Sequence, residues 1–373
     1  MKNIRAIVVD DTALFRKIVS DALSGVEGIE VVATAPNGRT ALAKIEQLKP
    51  DMITLDIEMP DMSGIEVLEE LAKRKISLGV VIVSALTLKG GALTIKALQK
   101  GAFDFVTKPT GGSVEENRTA LKDSLKPVLK AWERKQGPQT VGYTREKDGK
   151  VTSCKSQCSV GQSMGTSASP NNVVKKLPAK IDRVLIGIST GGPNALSLVI
   201  PALPGNLRVP VFIVQHMPPV FTAALAQSLN DKSEIDVCEA QHNIVARPQT
   251  AYIAPGGKQM RLVKGPGGEE VIKITDDPPE NNCKPSVDYL FRSVAMNFPG
   301  TSLSAILTGM GNDGMVGVKL LKRTGCYSIA QDKETSVVYG MPRAVVEAGV
   351  ADEILSLDMI PKIIVNQVER RIR

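Results

Sequence analysis

The sequence predicts two α/β domains joined by a linker. Three observations carry this. Residues 4–109 alternate short apolar runs with helical patterns. From 137 to 178 that pattern disappears. It resumes at Ile181 with a second series of apolar runs, two of which flank a Gly-Pro-Gly-Gly turn.

In the first domain the apolar runs are residues 4–9, 29–34, 52–55, 80–83 and 103–106. Helical patterns separate them, for example at 13–23 and 64–73. Five βα units in succession imply a doubly wound parallel sheet. A fifth helix is expected over 114–135, with Pro127 as a candidate break. The domain is set at residues 1–125, a basic linker at 126–180 and the second domain at 181–373.

The linker is rich in Gly, Ser, Thr, Gln, Asn and Lys, so it cannot bury a core and is expected to be flexible. The second domain has strand-like runs at 184–188, 209–214, 235–238, 251–254, 303–307 and 327–330, mostly alternating with helical patterns. Residues 261–263 and 271–274 read as an antiparallel hairpin around Gly265-Pro266-Gly267-Gly268. This makes a mainly parallel α/β domain with a small antiparallel edge.

Bulk properties exclude several classes. No run approaches the roughly 20 apolar residues of a membrane span. The start, MKNIRAIVVDD, is too short and too soon acidic for a signal peptide, so a cytoplasmic protein is expected. The five cysteines are odd in number and scattered, which fits reduced thiols. Cys154 and Cys158 lack the further ligands of a metal site. The net charge of +7 is concentrated in residues 118–180, where 13 Lys/Arg face 4 Asp/Glu. The folded remainder is therefore not basic, and no nucleic-acid partner is expected.

The first domain carries carboxylates at strand ends. Asp10 and Asp11 close the first strand and Asp56 the third, the edge where open parallel sheets gather functional groups. Three carboxylates there need a cation, and Mg²⁺ suits oxygen ligands. Ser84 ends the fourth strand and Lys108-Pro109 follows the fifth. Carboxylates, metal, hydroxyl and ammonium together suit phosphoryl transfer to a carboxylate. Singly, each has an ordinary reading as a helix cap, a solvated strand end or a surface lysine.

In the second domain the only histidines are His216 and His242. His216 follows a strand directly, whereas His242 sits in a loop-like stretch and reads as a surface residue. Ser189 ends the strand at 184–188 and precedes Thr190-Gly191-Gly192-Pro193, a tight strand-to-helix turn whose backbone N–H groups suit developing negative charge. Asp313 follows the strand at 303–307 through a glycine-containing loop, where helix N-capping competes with orienting an imidazole. The order Ser, His, Asp differs from that of α/β hydrolases, chymotrypsin and subtilisin, and no G-x-S-x-G elbow is present.

These residues carry two resemblances. Residues 4–109 resemble the response-regulator receiver domain through Val8-Val9-Asp10-Asp11, Leu55-Asp56-Ile57-Glu58-Met59-Pro60, Ser84-Ala85 and Lys108-Pro109. This implies that Asp56 accepts phosphate, and that Asp10, Asp11, Asp56 and the carbonyl of Glu58 hold Mg²⁺. It further implies that Ser84 and Lys108 contact the phosphoryl oxygens and that Phe105 is the aromatic switch position. Residues 181 to about 356 resemble the chemotaxis protein-glutamate methylesterase (CheB) family. The carriers are Gly187–Pro193, Val214–Pro219, Lys284–Asp288, Leu307–Gly314, Gln331-Asp332 and Thr335–Pro342.

That second resemblance implies Ser189 as nucleophile, His216 as base and Asp313 as its orienter. It implies oxyanion donors near Thr190, Gly191 and Met310, and a hydrolase that needs no cofactor. It implies methyl-accepting chemotaxis receptors as substrate, glutamine deamidation beside ester hydrolysis, and a histidine kinase as phosphodonor. The unphosphorylated receiver is expected to obstruct the hydrolase mouth. The chain departs from the family at Gln259, where histidine is frequent, at Arg247-Pro248-Gln249, and in its long linker. The rival readings are a mainly deamidating hydrolase and a response regulator whose second domain only binds; the second lacks a basic helix-turn-helix signature.

Overall fold

The computed structural model describes residues 3–136 and 180–370. The predicted linker, with Cys154 and Cys158, lies outside the described residues.

The first domain runs β1 (Ile4–Val9), α1 (Ala13–Ser24), β2 (Ile29–Ala35), α2 (Gly38–Leu48), β3 (Met52–Asp56), α3 (Gly64–Lys73), β4 (Gly79–Ser84), α4 (Leu88–Gln99), β5 (Asp104–Thr107) and α5 (Val114–Gln136). Its five strands are parallel, in the order β2-β1-β3-β4-β5. The central strands β3 and β4 are buried throughout, which is why they read as continuous apolar runs. Helix starts follow local chemistry. Asn37 caps α2 by accepting from Thr40 N, and Ser63 with Glu66 forms a capping box on α3. Helix α5 continues through Pro127 instead of breaking there. A proline inside a helix costs about 3 kcal/mol. Burial of Leu121, Leu125, Val128, Leu129 and Trp132 along one helical face offsets that cost, and Trp132 meets Phe103 edge-on at 5.1 Å.

The second domain runs β6 (Arg183–Ile188), α6 (Gly192–Val199), β7 (Val211–Gln215), α7 (Phe221–Asn230), β8 (Asp236–Glu239), β9 (Ile244–Val245), β10 (Thr250–Ile253), β11 (Gln259–Lys264) and β12 (Glu270–Thr275). It continues with α8 (Val287–Asn297), β13 (Ser302–Ile306), α9 (Met315–Arg323), β14 (Tyr327–Gln331), α10 (Met341–Glu347), β15 (Glu353–Leu355) and α11 (Ile360–Glu369). Seven parallel strands form a sheet in the order β15-β14-β13-β6-β7-β10-β8. The chain reverses direction across this sheet around β6, so the crevice beyond the carboxyl ends of β7, β6 and β13 is the place such a sheet offers a ligand.

The predicted hairpin is β11–β12, antiparallel, and it gains a third strand in β9. Two residues are too few to carry a period, so the sequence gives β9 no signal. Arg183 and Glu270 join the small sheet to the large one through a buried ion pair at 2.6 Å, with Arg183 also bonded to Thr301 and Ser302.

The two domains pack on each other. Phe105 of β5 and Phe221 of α7 have ring centroids 4.6 Å apart. Gln99 Nε2 donates to Ser228 Oγ at 2.7 Å, linking the end of α4 to α7. Apolar residues of both domains belong to one continuous core cluster.

Candidate active site at a parallel-sheet edge

Ser189, His216 and Asp313 come from three loops at the carboxyl ends of neighbouring strands. Ser189 directly follows β6, and His216 directly follows β7 and donates its backbone N–H to Ile188 O at 3.1 Å. The loop after β13 returns against Ser189, whose N–H donates to Thr308 O at 3.0 Å. Glycines permit the close approach. A side chain at Gly309 would put its Cβ 2.8 Å from Ser189 Cβ, and one at Gly192 would lie 1.9 Å from Gln215 Oε1.

The ring of His216 is nearly buried, and its Nε2 meets Asp313 Oδ2 at 2.8 Å. Burial opposes the imidazolium, but the hydrogen bonds to Asp313 and Cys283 outweigh it and raise His216 to about 9. Burial likewise opposes the Asp313 carboxylate, but His216 and its hydrogen-bond donors hold it down at about 2. The other ring nitrogen, Nδ1, faces Cys283 Sγ at 3.6 Å. Among the described residues no hydrogen bond joins Ser189 Oγ to the ring.

The capping role weighed for Asp313 is met in an unexpected way. Helix α9 is preceded by Gly314 at its N-cap position and has no side-chain cap. The Asp313 carboxylate instead receives Val287 N at 2.7 Å, Asp288 N at 3.1 Å and Ser286 Oγ at 2.9 Å, so it neutralises the N-terminus of α8. One carboxylate thus fixes a helix end and the imidazole together.

At the rim of the first sheet, oxygens of Asp10, Asp11 and Asp56 lie within 4.8 Å of one another. Lys108 Nζ bridges Asp10 Oδ2 at 2.7 Å and Asp56 Oδ2 at 2.6 Å. Burial raises Asp56 despite that lysine. This set of hard oxygen donors fits a Mg²⁺ ion. The Glu58 side chain turns away to Lys89 at 2.5 Å, and Ser84 Oγ is buried near Gly90 O at 3.4 Å.

Two family models match this chain. One described as CheB methylesterase covers residues 184–364, and one described as response regulator receiver domain covers 6–118. A protein-glutamate methylesterase/protein-glutamine glutaminase from Desulfotalea psychrophila is 49% identical over 371 residues, spanning 99% of this chain and 100% of its own. The chain belongs to the CheB methylesterase family. The Bacillus subtilis protein of the same name is 42% identical, over 98% of this chain and 99% of its own. The crystal structure of the Thermotoga maritima CheB methylesterase catalytic domain is 41% identical, covers 50% of this chain and 98% of that one, and has a TM-score of 0.49.

In this CheB-family chain the receiver lies over the hydrolase crevice. A cavity of about 190 Å³ is lined by Asp104, Phe105 and Ser124 on the receiver side and by Ser189, Thr190 and His216 on the other. Burial pushes the Asp104 carboxyl up to about 6, against hydrogen bonds from Phe105 N and the Thr190 side chain. Phe105 sits at the domain contact, against Phe221. His242 is exposed, with Nδ1 against Ile274 backbone, as a surface histidine should be.

Several residues at the site make contacts for which the sequence offers no role. Gln215 Nε2 holds Ser189 O at 3.0 Å, and Gln331 Oε1 accepts from Thr308 N at 2.7 Å. Asn281 Nδ2 bridges Asp288 and Asp313 at 2.8 and 2.9 Å. Gln259, the departure from the family, accepts from Ser286 N at 2.9 Å and donates to Cys283 O at 3.3 Å, so it ties down the loop before α8. Gln215, Gln259 and Gln331 are buried amides at strand ends, a position that does not name a partner, and Asn281 is a loop residue with no signal at all. No described helix is long and apolar enough to cross a membrane.

Proposed function

We propose that this protein hydrolyses the methyl esters of glutamate side chains on methyl-accepting chemotaxis receptors, and deamidates glutamines there, under control of phosphorylation at Asp56. The observation that carries this is that Ser189 and His216 line one crevice, with the His216 ring held by Asp313, in a chain whose full-length relatives are named protein-glutamate methylesterase/protein-glutamine glutaminase.

With Nε2 given to Asp313, Nδ1 is the nitrogen left for Ser189. In the proposed cycle Nδ1 takes the Ser189 proton as Oγ attacks the ester carbonyl. Backbone N–H groups at Thr190, Gly191 and Met310 receive the oxyanion. The imidazolium returns the proton to the leaving methoxide, giving methanol. A water then gives its proton to Nδ1, attacks the acyl-enzyme and releases glutamate. An amide substrate follows the same path with ammonia as leaving group. Asp313 orients the ring and balances its charge, and the hydrolase half needs no cofactor.

The receiver residues Asp10, Asp11, Asp56 and the Glu58 carbonyl would hold Mg²⁺, which when bound neutralises the incoming phosphoryl group. Ser84 and Lys108 would contact its oxygens. The phosphodonor is a histidine kinase, and the reaction takes place in the cytoplasm. The unphosphorylated receiver slows the hydrolase because it covers the crevice; phosphorylation weakens that docking.

The test is methanol and ammonia release from methylated receptors, with and without a small-molecule phosphodonor and Mg²⁺. Wild type should be stimulated by the donor, Asp56→Asn should not respond, and Ser189→Ala should release neither product. Methanol release by Ser189→Ala at the wild-type rate would overturn the assignment.

A further inference from the structure

The ester chemistry leaves one polar neighbour of His216 without a role. Cys283 lies in the loop between β12 and α8, with Sγ 3.6 Å from His216 Nδ1 and 3.4 Å from Asn281 O. A ligand atom of each of Cys283, His216 and Asp313 lies within 4.8 Å of the others. Cys283 is partly exposed, so an ion can reach it.

The spacing has a specific meaning. Zinc binds thiolate at about 2.3 Å and imidazole nitrogen at about 2.0 Å, and a tetrahedral angle between them sets S and N about 3.5 Å apart. The observed separation of 3.6 Å already has the length of one edge of that tetrahedron. The far side of the ring is also prepared. A metal-bound imidazole commonly donates its other N–H to a carboxylate, and Nε2 sits 2.8 Å from Asp313 Oδ2. Asp313 is in turn held by five donors from Asn281, Ser286, Val287, Asp288 and Gly314.

The thiol is preorganised as well. Glu280 and Cys283 exchange backbone hydrogen bonds at 2.8 and 3.1 Å, and Gln259 Nε2 holds Cys283 O at 3.3 Å. The five cysteines read as reduced thiols from the sequence; the three in the described residues are free thiols, and of these Cys283 is the one against an imidazole.

We propose that Cys283 Sγ and His216 Nδ1 form a binding site for a thiophilic divalent cation such as Zn²⁺, with Asp313 orienting the imidazole, and that the ion inhibits the hydrolase by occupying the nitrogen that takes the Ser189 proton in the proposed cycle. Binding is an exchange of protons for metal. The thiol proton, and the Nδ1 proton where present, pass to solvent as the Sγ–metal and Nδ1–metal bonds form, and nothing is oxidised or reduced. The remaining coordination positions take water. The inhibition rests on the proposed ester chemistry; the metal binding does not.

The experiment uses the full chain carrying Cys154→Ser and Cys158→Ser, so that linker thiols do not contribute. Co²⁺ serves as the spectroscopic probe and Zn²⁺ as the inhibitor. The expected result is a thiolate-to-Co²⁺ charge-transfer band at one equivalent. Saturating Zn²⁺ should cause loss of fluorophosphonate labelling at Ser189, restored by a chelator. Cys283→Ser and Cys283→Ala should lose the band, and their labelling rates with and without Zn²⁺ should be equal. Cys283→His, which replaces sulfur with nitrogen, should keep Zn²⁺ sensitivity without the band. A band that survives Cys283→Ser, or equal Zn²⁺ sensitivity of that variant and its parent, overturns the site. If no protein is labelled even without Zn²⁺, the ester reading falls, and the Co²⁺ band alone decides the metal site.

Discussion

The ring of Phe105, in the last receiver strand, lies 4.6 Å from the ring of Phe221, which opens a helix beside the hydrolase crevice. The planes are tilted by 35°. Such a pair contributes about 0.5–1.5 kcal/mol beyond its buried area. Phe105→Ala should therefore weaken docking and raise fluorophosphonate labelling of Ser189 in the unphosphorylated chain by roughly threefold to tenfold. Labelling at the wild-type rate would mean that this contact does not hold the receiver in place.

Asp104 gives a pH dependence to the same docking. Its carboxyl is raised to about 6 by burial at the interface. A carboxyl raised in the docked state favours docking fully below its ordinary value, and that contribution is lost as pH rises through about 6. Asp104→Asn keeps an acceptor for Thr190 and removes the buried charge. At pH 7.5 it should dock more firmly and label Ser189 more slowly than wild type, by about tenfold. Faster labelling would show that the carboxylate, not its neutral form, stabilises the closed arrangement.

Asp313 joins the proposed catalysis to folding. Asp313→Asn keeps the shape but removes the charge that orients His216 and neutralises the start of α8. Turnover should fall by roughly 10³–10⁴. Stability should fall by about 1.5–3 kcal/mol, because charge-assisted hydrogen bonds to Val287 and Asp288 are weakened. Paired measurement of methanol release and thermal unfolding checks both. Lost activity with unchanged stability would remove the helix-capping role.

His216 should set the pH profile. Its hydrogen bonds raise it to about 9, so at neutral pH the resting ring holds its proton. Labelling of Ser189 by the unphosphorylated chain should climb about tenfold per pH unit between 7 and 8.5 and level off beyond 9. Stability runs the other way. The raised pKa contributes stability present below about 6.5, which is lost as pH rises through about 9. A labelling profile flat from pH 6 to 9 would contradict a protonated resting base.

Much of this architecture was legible along the chain because local physics writes it there. Strands buried on both faces, such as β3 and β4, must be continuous apolar runs, and helices between them must be amphipathic. The candidate residues at strand ends, Asp10, Asp56, Ser189 and His216, are conspicuous because a parallel sheet puts all those ends on one edge. Gly191 and Gly192 mark the tight turn after Ser189 for the same local reason, since Gly191 has φ +76°.

What the chain order could not contain is proximity between residues far apart in sequence. The N–H groups at the start of α8 find Asp313 some 25 residues later only when α8 and the loop after β13 are packed together. Gln215 reaching Ser189 O, Phe105 meeting Phe221, and Cys283 facing His216 are likewise products of packing. Periodicity and strand-end position follow from each segment's own burial, so the sequence alone determined two parallel sheets and the edge of each where the candidate residues gather. Hydrogen bonds and ion pairs act over a few ångströms in space, so only the tertiary structure decided which groups on those edges share a proton, a helix end or a domain contact.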